Sequence, residues 1–277
     1  METVLSERDA PPSRIRPPLR LWREAVYVGV FYGLYWLVRN SQGSNKEATE
    51  QAFTNAKRIM RFEQWTGMFH EESIQEAFLH ATWFVRFLNA YYGIAHFLVT
   101  IWALVWCYRN WPDRYRVIRN GLAFMTGIAL LGFFSFPLMP PRLLPESYGF
   151  VDTLITIGSP WNFESGPVAQ VSNQFAAMPS LHFGWSAWCA VTFWPWAHKH
   201  WWRKVVLVGY PLLTLFAIVV TGNHYIVDAV GGFVVFLVGL RMGTVLDRVG
   251  VIDIWRNRSR NTTTDSTPQQ SSSHRGQ

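Results

Sequence analysis

Three clusters of side chains in this chain combine chemical reactivity with apolar surroundings. His224 lies in TGNHYIVDAVGG, with Asp228 four residues later. Positions i and i+4 share a helical face, so the carboxylate can accept a hydrogen bond from one imidazole nitrogen. That contact fixes the tautomer and leaves the other nitrogen as base or nucleophile. Ionisable groups within an apolar run are costly unless paired or facing a wet cavity, which makes function the default expectation. His182 stands in AAMPSLHFGWS. Pro179 suits the first position of a helix, Ser180 lies close to its start, and the N–H groups of such a turn form an anion site. With Ser180 donating to a phosphate oxygen, one histidine can attack phosphorus while the other protonates the departing alkoxide. Arg142, in FPLMPPRLLPESYGFVDT, is the only Lys or Arg between Ile128 and Pro195. A guanidinium so isolated needs an acidic partner, a lipid phosphate or a substrate, and a clamp on phosphate would join it to the two histidines. His70 and His80 lie in an amphipathic stretch, His198 and His200 in a basic run, and His274 in a polar tail.

The elements that must hold these residues are apolar. The 277 residues are 49% hydrophobic and 16% charged, with 15 Trp and 20 Phe, against about 25% charged for a typical soluble domain. Disorder is excluded for most of the chain, and the apolar residues fall in runs, as in a polytopic membrane protein. Six spans of about 20 residues would use about 120 residues, leaving no room for a second globular domain. The expected fold is all-α: a six-transmembrane-helix bundle with spans at Ala25–Val38, Tyr91–Tyr108, Ile118–Leu138, Leu181–Trp196, Val205–Thr221 and Tyr225–Leu246. The first run lacks a small-residue cleavage site and is expected to be retained as a helix.

A net charge of +7 would suggest nucleic acid in a soluble protein, but here its position decides its meaning. Arg and Lys gather in cytoplasmic segments. Seventeen of the 25 fall in the N-terminal arm (Arg8 to Arg23), the 109–119 loop, the 199–204 loop and the stretch Arg241 to Arg260. Both termini are therefore expected in the cytoplasm and the histidines on the opposite face, without nucleic acid as a partner. Residues 1–24 read as a basic arm, 25–246 as the six-span domain and 247–277 as a mostly disordered tail. Short loops fit a bacterial plasma membrane. Between 50 and 90, Ile59, Phe62, Trp65, Met68, Phe69, Ile74, Phe78 and Leu79 recur at roughly helical spacing among charges. Helices lying in the outer interface, roofing the bundle, are expected there. Cys107 and Cys189 have neither metal-ligand nor disulfide spacing and read as packing residues.

PSLH at 179–182 and HYIVD at 224–228, with FPLMPPR before them, resemble motifs of the membrane type 2 phosphatidic acid phosphatase superfamily. The likeness is closer to the branch with fungal inositol phosphorylceramide synthase and sphingomyelin synthase, and it covers roughly residues 55–240. The resemblance implies a six-helix lipid phosphotransferase fold and a phosphohistidine intermediate, with no metal or other cofactor. By matching position, His224 would be the nucleophile, Asp228 its orienting carboxylate, His182 the acid that protonates the leaving group, and Ser180 part of the phosphate cradle. The sequence departs from the family pattern in two places. The lysine-rich first motif is missing, with FPLMPPR near its place, so Arg142 is a candidate for its duty. The arginine six residues before the last histidine is replaced by Ile218, and Arg61 and Arg86 are candidates to supply the missing positive charge. Hydrolysis of a lipid phosphate ester is the leading expectation because it needs one organic substrate; transfer to a hydroxyl acceptor shares its first step. A lipid transporter or lipid-binding module would explain the spans and a buried His–Asp pair, but not PSLH and a lone arginine at the same depth.

Overall fold

A computed structural model describes residues 19–41, 46–158 and 174–264. The basic arm before residue 19 and the tail after 264, with His274, lie outside the described residues. In chain order the helices are α1 Leu21–Ser41, α2 Lys46–Thr66, α3 Glu71–Leu79, α4 Thr82–Asn110, α5 Pro112–Ser135, the single turn α6 Thr153–Thr156, α7 Leu181–Phe193, α8 Trp201–Val220 and α9 Ile226–Thr264. Short 3-10 turns occupy Pro141–Leu143, Glu146–Tyr148 and Trp194–Ala197.

Among the described residues four helices are long and apolar enough to cross a membrane: α4, α5, α8 and α9 over Ile226–Val249. This gives the chain its integral-membrane character. The two other expected spans are helical but different in kind. α1 has the length, with 21 residues, yet Arg23, Glu24, Arg39 and several Trp and Tyr rings dilute its apolar character. α7 has 13 residues, which at about 1.5 Å per residue falls short of a hydrocarbon core about 30 Å thick. The third expected span ends at Ser135 rather than Leu138, because Pro137, Pro140 and Pro141 follow and cannot continue a helix. α9 runs on to Thr264, so residues 247–264, expected in the tail, are helical.

α7 is the central element. Ten of its 13 residues are buried, and a helix apolar all round belongs inside a bundle. Its indole groups tie it to α5: Trp185 Nε1 donates to Thr126 Oγ1 at 3.0 Å, and Trp188 Nε1 to the Ile118 carbonyl at 3.0 Å. Cys107 and Cys189 are both buried in this core, as packing residues. α5 and α9 approach closely where a Cβ on Gly239 would stand 2.7 Å from the Gly121 carbonyl oxygen. An Arg119–Glu24 ion pair fastens α1 to α5.

α2 and α3 roof the end of the bundle where α7 and α9 begin. Ala52, Ala56, Ile59 and Met60 of α2 pack on Leu138, Met139, Leu144, Phe150, Tyr225 and Val227. Phe62 and Trp65, expected on the same apolar face, are exposed. Buried amides lock the roof down, which satisfies polar groups that burial would otherwise penalise. Asn55 Nδ2 donates to the Pro137 carbonyl at 2.8 Å. Gln75 Nε2 donates to the carbonyls of Val220 (3.1 Å) and Val151 (3.2 Å), and its Oε1 accepts Val151 N–H at 2.8 Å.

Candidate active site

The starts of α7 and α9 are built against each other. Ser180 N–H donates to the Asp228 carbonyl at 2.9 Å, and a Cβ on Gly232 would fall 2.2 Å from the Ser180 carbonyl oxygen. Only glycine permits that approach. Ser180 is the N-cap of α7, its hydroxyl accepting Phe183 N–H at 3.4 Å. It keeps its own proton for donation. Pro179 therefore precedes the cap instead of taking the first helical position, which Leu181 occupies. Its ring sits where a Cβ on Gly132 of α5 or Gly231 of α9 would have to go.

After α8 the chain reverses through Gly222, whose φ of +67° favours glycine, and His224 follows. His224 comes two residues before α9, so its meeting with Asp228 arises from this turn, not from a shared helical face. His224 Nδ1 lies 3.3 Å from Asp228 Oδ2, and the same oxygen accepts Tyr225 N–H at 3.0 Å. Both side chains are buried. An imidazole nitrogen facing a carboxylate carries the proton, which leaves Nε2 with its lone pair. That Nε2 faces Nδ1 of His182 at 3.4 Å.

His182 is held from α4. The Tyr92 ring stacks on it with centroids 4.2 Å apart and planes 24° apart. His96 meets it edge-on at 4.3 Å, its own Nδ1 lying 3.0 Å from the Tyr92 carbonyl oxygen. Around His182, Tyr91, Tyr92, His96, Thr214, Ala217 and Ile218 close in tightly and leave no room for a water molecule. Ile218, at the position of the family's arginine, thus packs beside His182 and brings no charge there. Its carbonyl accepts His224 N–H at 3.2 Å.

Arg142 is buried, and its acidic partner is Asp152: Nη1 to Oδ2 is 2.9 Å. Its Nε donates to Asn223 Oδ1 at 2.9 Å and its backbone N–H to the Gly222 carbonyl at 2.8 Å. The guanidinium thereby grips the turn that presents His224. Of the two arginines offered for the missing charge, Arg61 is exposed on α2. Arg86 donates to the Ile157 carbonyl at 3.2 Å.

Two acids escaped the sequence reading. Glu71 Oε1 accepts Ile226 N–H and Glu63 Oε1 accepts Val227 N–H, each at 2.8 Å. With Asp228 on Tyr225 N–H, three consecutive donors at the start of α9 each meet a carboxylate. Burial, and then the neighbouring Glu71 charge, push the Glu63 carboxyl up to about 9. Tyr92, His96, Asp152 and Asn223 also went unread. Only His96 carried a signal, as an ionisable residue inside an apolar run; the acids meet partners some 155 and 164 positions away. Among the described residues, no three His, Cys, Asp or Glu side chains are grouped to hold a metal ion.

A helical membrane protein with paired histidines over a buried aspartate is the class that fold and site define. The chain belongs to the PAP2 superfamily of phosphatases and phosphotransferases, whose profile matches residues 57–242. Among curated proteins and among solved structures, none matches the chain.

Proposed function

We propose that the chain hydrolyses a phosphate ester on a membrane lipid through a phosphohistidine formed on His224. The observation that carries this reading is the line Asp228–His224–His182: one imidazole with Nδ1 on a buried carboxylate and Nε2 turned toward a second imidazole. In the first step the Nε2 lone pair of His224 attacks phosphorus. The bond from phosphorus to the lipid oxygen breaks, and His182 gives its proton to that oxygen. Asp228 stabilises the positive charge on the His224 ring. In the second step His182, now neutral, takes a proton from water, the hydroxide attacks phosphorus, and the N–P bond breaks to release orthophosphate. The two rings must part to admit the phosphoryl group, as sites without ligand often require. Ser180 Oγ–H and the first turn of α7 hold phosphate oxygens. Arg142 acts on the site through the Gly222–Asn223 turn, with Asp152 as its counter-charge.

In the topology that goes with this reading, α1 and α7 complete six spans, α7 with the help of the Trp194–Ala197 turn. Both termini then face the cytoplasm and the histidines open on the other side, in a plasma membrane of bacterial type. Transfer to a hydroxyl acceptor, as in the inositol phosphorylceramide synthase-like branch, is a second reading. It shares the attack by His224, and an alcohol then takes the place of water in the second step.

The test is incubation of the detergent-solubilised protein with a mixed lipid extract, reading lipid products by mass spectrometry and inorganic phosphate in parallel. Phosphate release that vanishes in His224→Ala supports hydrolysis. A new headgroup-bearing lipid with little phosphate moves the assignment to transfer. Undiminished release by His224→Ala overturns the mechanism, and lipid movement without turnover favours a transporter.

A further inference from the structure

We propose that Glu63 and Glu71 share one proton and, as that pair, act as positioning residues that hold the first turn of α9 and so aim the His224–Asp228 dyad. The proposal deepens the reading of His224 as nucleophile and rests on it.

Glu63, Glu71 and Asp228 are all fully buried, and they converge on the N–H groups of Val227, Ile226 and Tyr225. A helix N-terminus carries roughly half a positive charge. It can offset part of one carboxylate but not three. The groups facing Glu63 are Glu71 from α3 and, at the start of α9, Asp228 and Tyr225, with Tyr148 beside Tyr225. None of these is a cation. Neighbouring buried carboxyls cannot both ionise without a large cost, so one of the pair keeps a proton.

The hydrogen bonds say which one. Both oxygens of Glu71 accept backbone N–H groups, Oε1 from Ile226 at 2.8 Å and Oε2 from His70 at 3.0 Å. That suits an ionised carboxylate. Glu63 accepts Val227 N–H on Oε1, while its Oε2 is buried and accepts no hydrogen bond from a described donor, with the Glu71 carboxyl as the neighbour that can share its proton. The proton belongs on Glu63 Oε2, the oxygen nothing donates to. Neither acid need touch substrate. Their action runs through the backbone of Tyr225 to Val227, the segment that separates His224 from Asp228.

The two acids should therefore respond differently to amidation. Glutamine at 63 reproduces a protonated carboxyl: its oxygen accepts Val227 N–H and its NH2 replaces the shared proton. Glutamine at 71 must turn an NH2 group toward one of two N–H donors. The experiment compares Glu63→Gln, Glu63→Ala and Glu71→Gln for kcat and KM across pH, with phosphatidate in mixed micelles as the probe, alongside thermal unfolding of the same proteins. Near neutral pH, Glu63→Gln is expected to keep kcat within about 3-fold, while Glu63→Ala and Glu71→Gln lose about 10-fold or more with KM little changed, as for groups that orient the reacting atoms. Above pH 9, wild-type kcat falls as Glu63 ionises, and Glu63→Gln retains activity there.

Unfolding gives an independent arm. A carboxyl near 9 when folded and near 4.5 when unfolded binds more proton in the native state between those values. Native stability is then lost as pH rises through that window. The Tm of the wild type should fall more steeply from pH 6 to pH 9 than that of Glu63→Gln. Equal damage from the two glutamines, or superimposable pH profiles of wild type and Glu63→Gln in Tm, overturns the proposal. If none of the proteins turns over phosphatidate or the mixed lipid extract, the functional reading fails, and the Tm comparison still decides the proton-sharing pair.

Discussion

Replacement of Gly232 by alanine tests whether the contact between α7 and α9 sets the geometry of the histidines. The new Cβ would stand 2.2 Å from the Ser180 carbonyl oxygen, 3.2 Å from its carbon and 3.4 Å from Gly184 N. Every one of these atoms is backbone, so no flexible side-chain end can swing away. An ordinary contact requires the helices to separate by about 1 Å, and overpacking of this kind costs about 1–3 kcal/mol. Because Ser180 starts the helix that carries His182, and Gly232 lies four residues past Asp228, the separation opens the 3.4 Å gap between the imidazoles. A displacement of about 1 Å at reacting groups lowers rate about 100-fold. The assay is kcat and KM for phosphate release from phosphatidate in mixed micelles, with Tm measured in the same detergent. Gly127→Ala in α5 is the control, since nothing lies within 4 Å of its added Cβ; it should keep its activity and gain about 0.5–1 kcal/mol from helix propensity. A Gly232→Ala protein with wild-type kcat and Tm would refute the reasoning.

Asp228→Asn removes the charge opposite His224 Nδ1 and leaves one carbonyl oxygen for two donors, so kcat should fall about 100- to 10,000-fold; a loss below 10-fold in the same assay would mean that the dyad is not the engine. Arg142→Ala strands Asp152 and releases the turn before His224, and should cost about 3–5 kcal/mol by calorimetry, with a double variant carrying Asp152→Asn losing less than the sum of the two. Tyr92→Leu takes away the ring stacked on His182; a contact of this kind is worth about 0.5–1.5 kcal/mol, so kcat should drop about 2- to 10-fold at unchanged KM, and a change confined to KM would speak for substrate contact instead.

What the sequence could disclose was local. Long apolar runs announce α4, α5, α8 and α9, and the prolines after Ser135 explain where a span read from hydropathy overshoots. PSLH and HYIVD point to His182, His224 and Asp228 because each motif carries its own chemistry. The turn geometry was harder to see. Pro179 looks like a first helical residue, yet Ser180, with an acceptor oxygen for Phe183 N–H, takes the cap and displaces it. Arg142 looks like a free clamp until Asp152, ten residues on in the same irregular stretch, is found beside it. Glu63 and Glu71 look like the solvated face of an amphipathic roof. Only the folded chain shows that they turn inward onto α9, because no short-range pattern encodes a partner more than 150 positions away.

Those long separations bear on biosynthesis. Domains are made from the N-terminus at about 5–20 residues per second, so α2 and α3 leave the ribosome well before the stretch from Tyr225 to Asp228. Until that stretch arrives, the carboxylates of Glu63 and Glu71 lack the N–H groups of Ile226 and Val227, and Arg142 lacks Asn223. The roof is thus a socket whose plug, the start of α9, is made later in the chain. His224 and the groups that fasten it come together in one late event, and a nascent chain stopped short of α9 has none of these contacts.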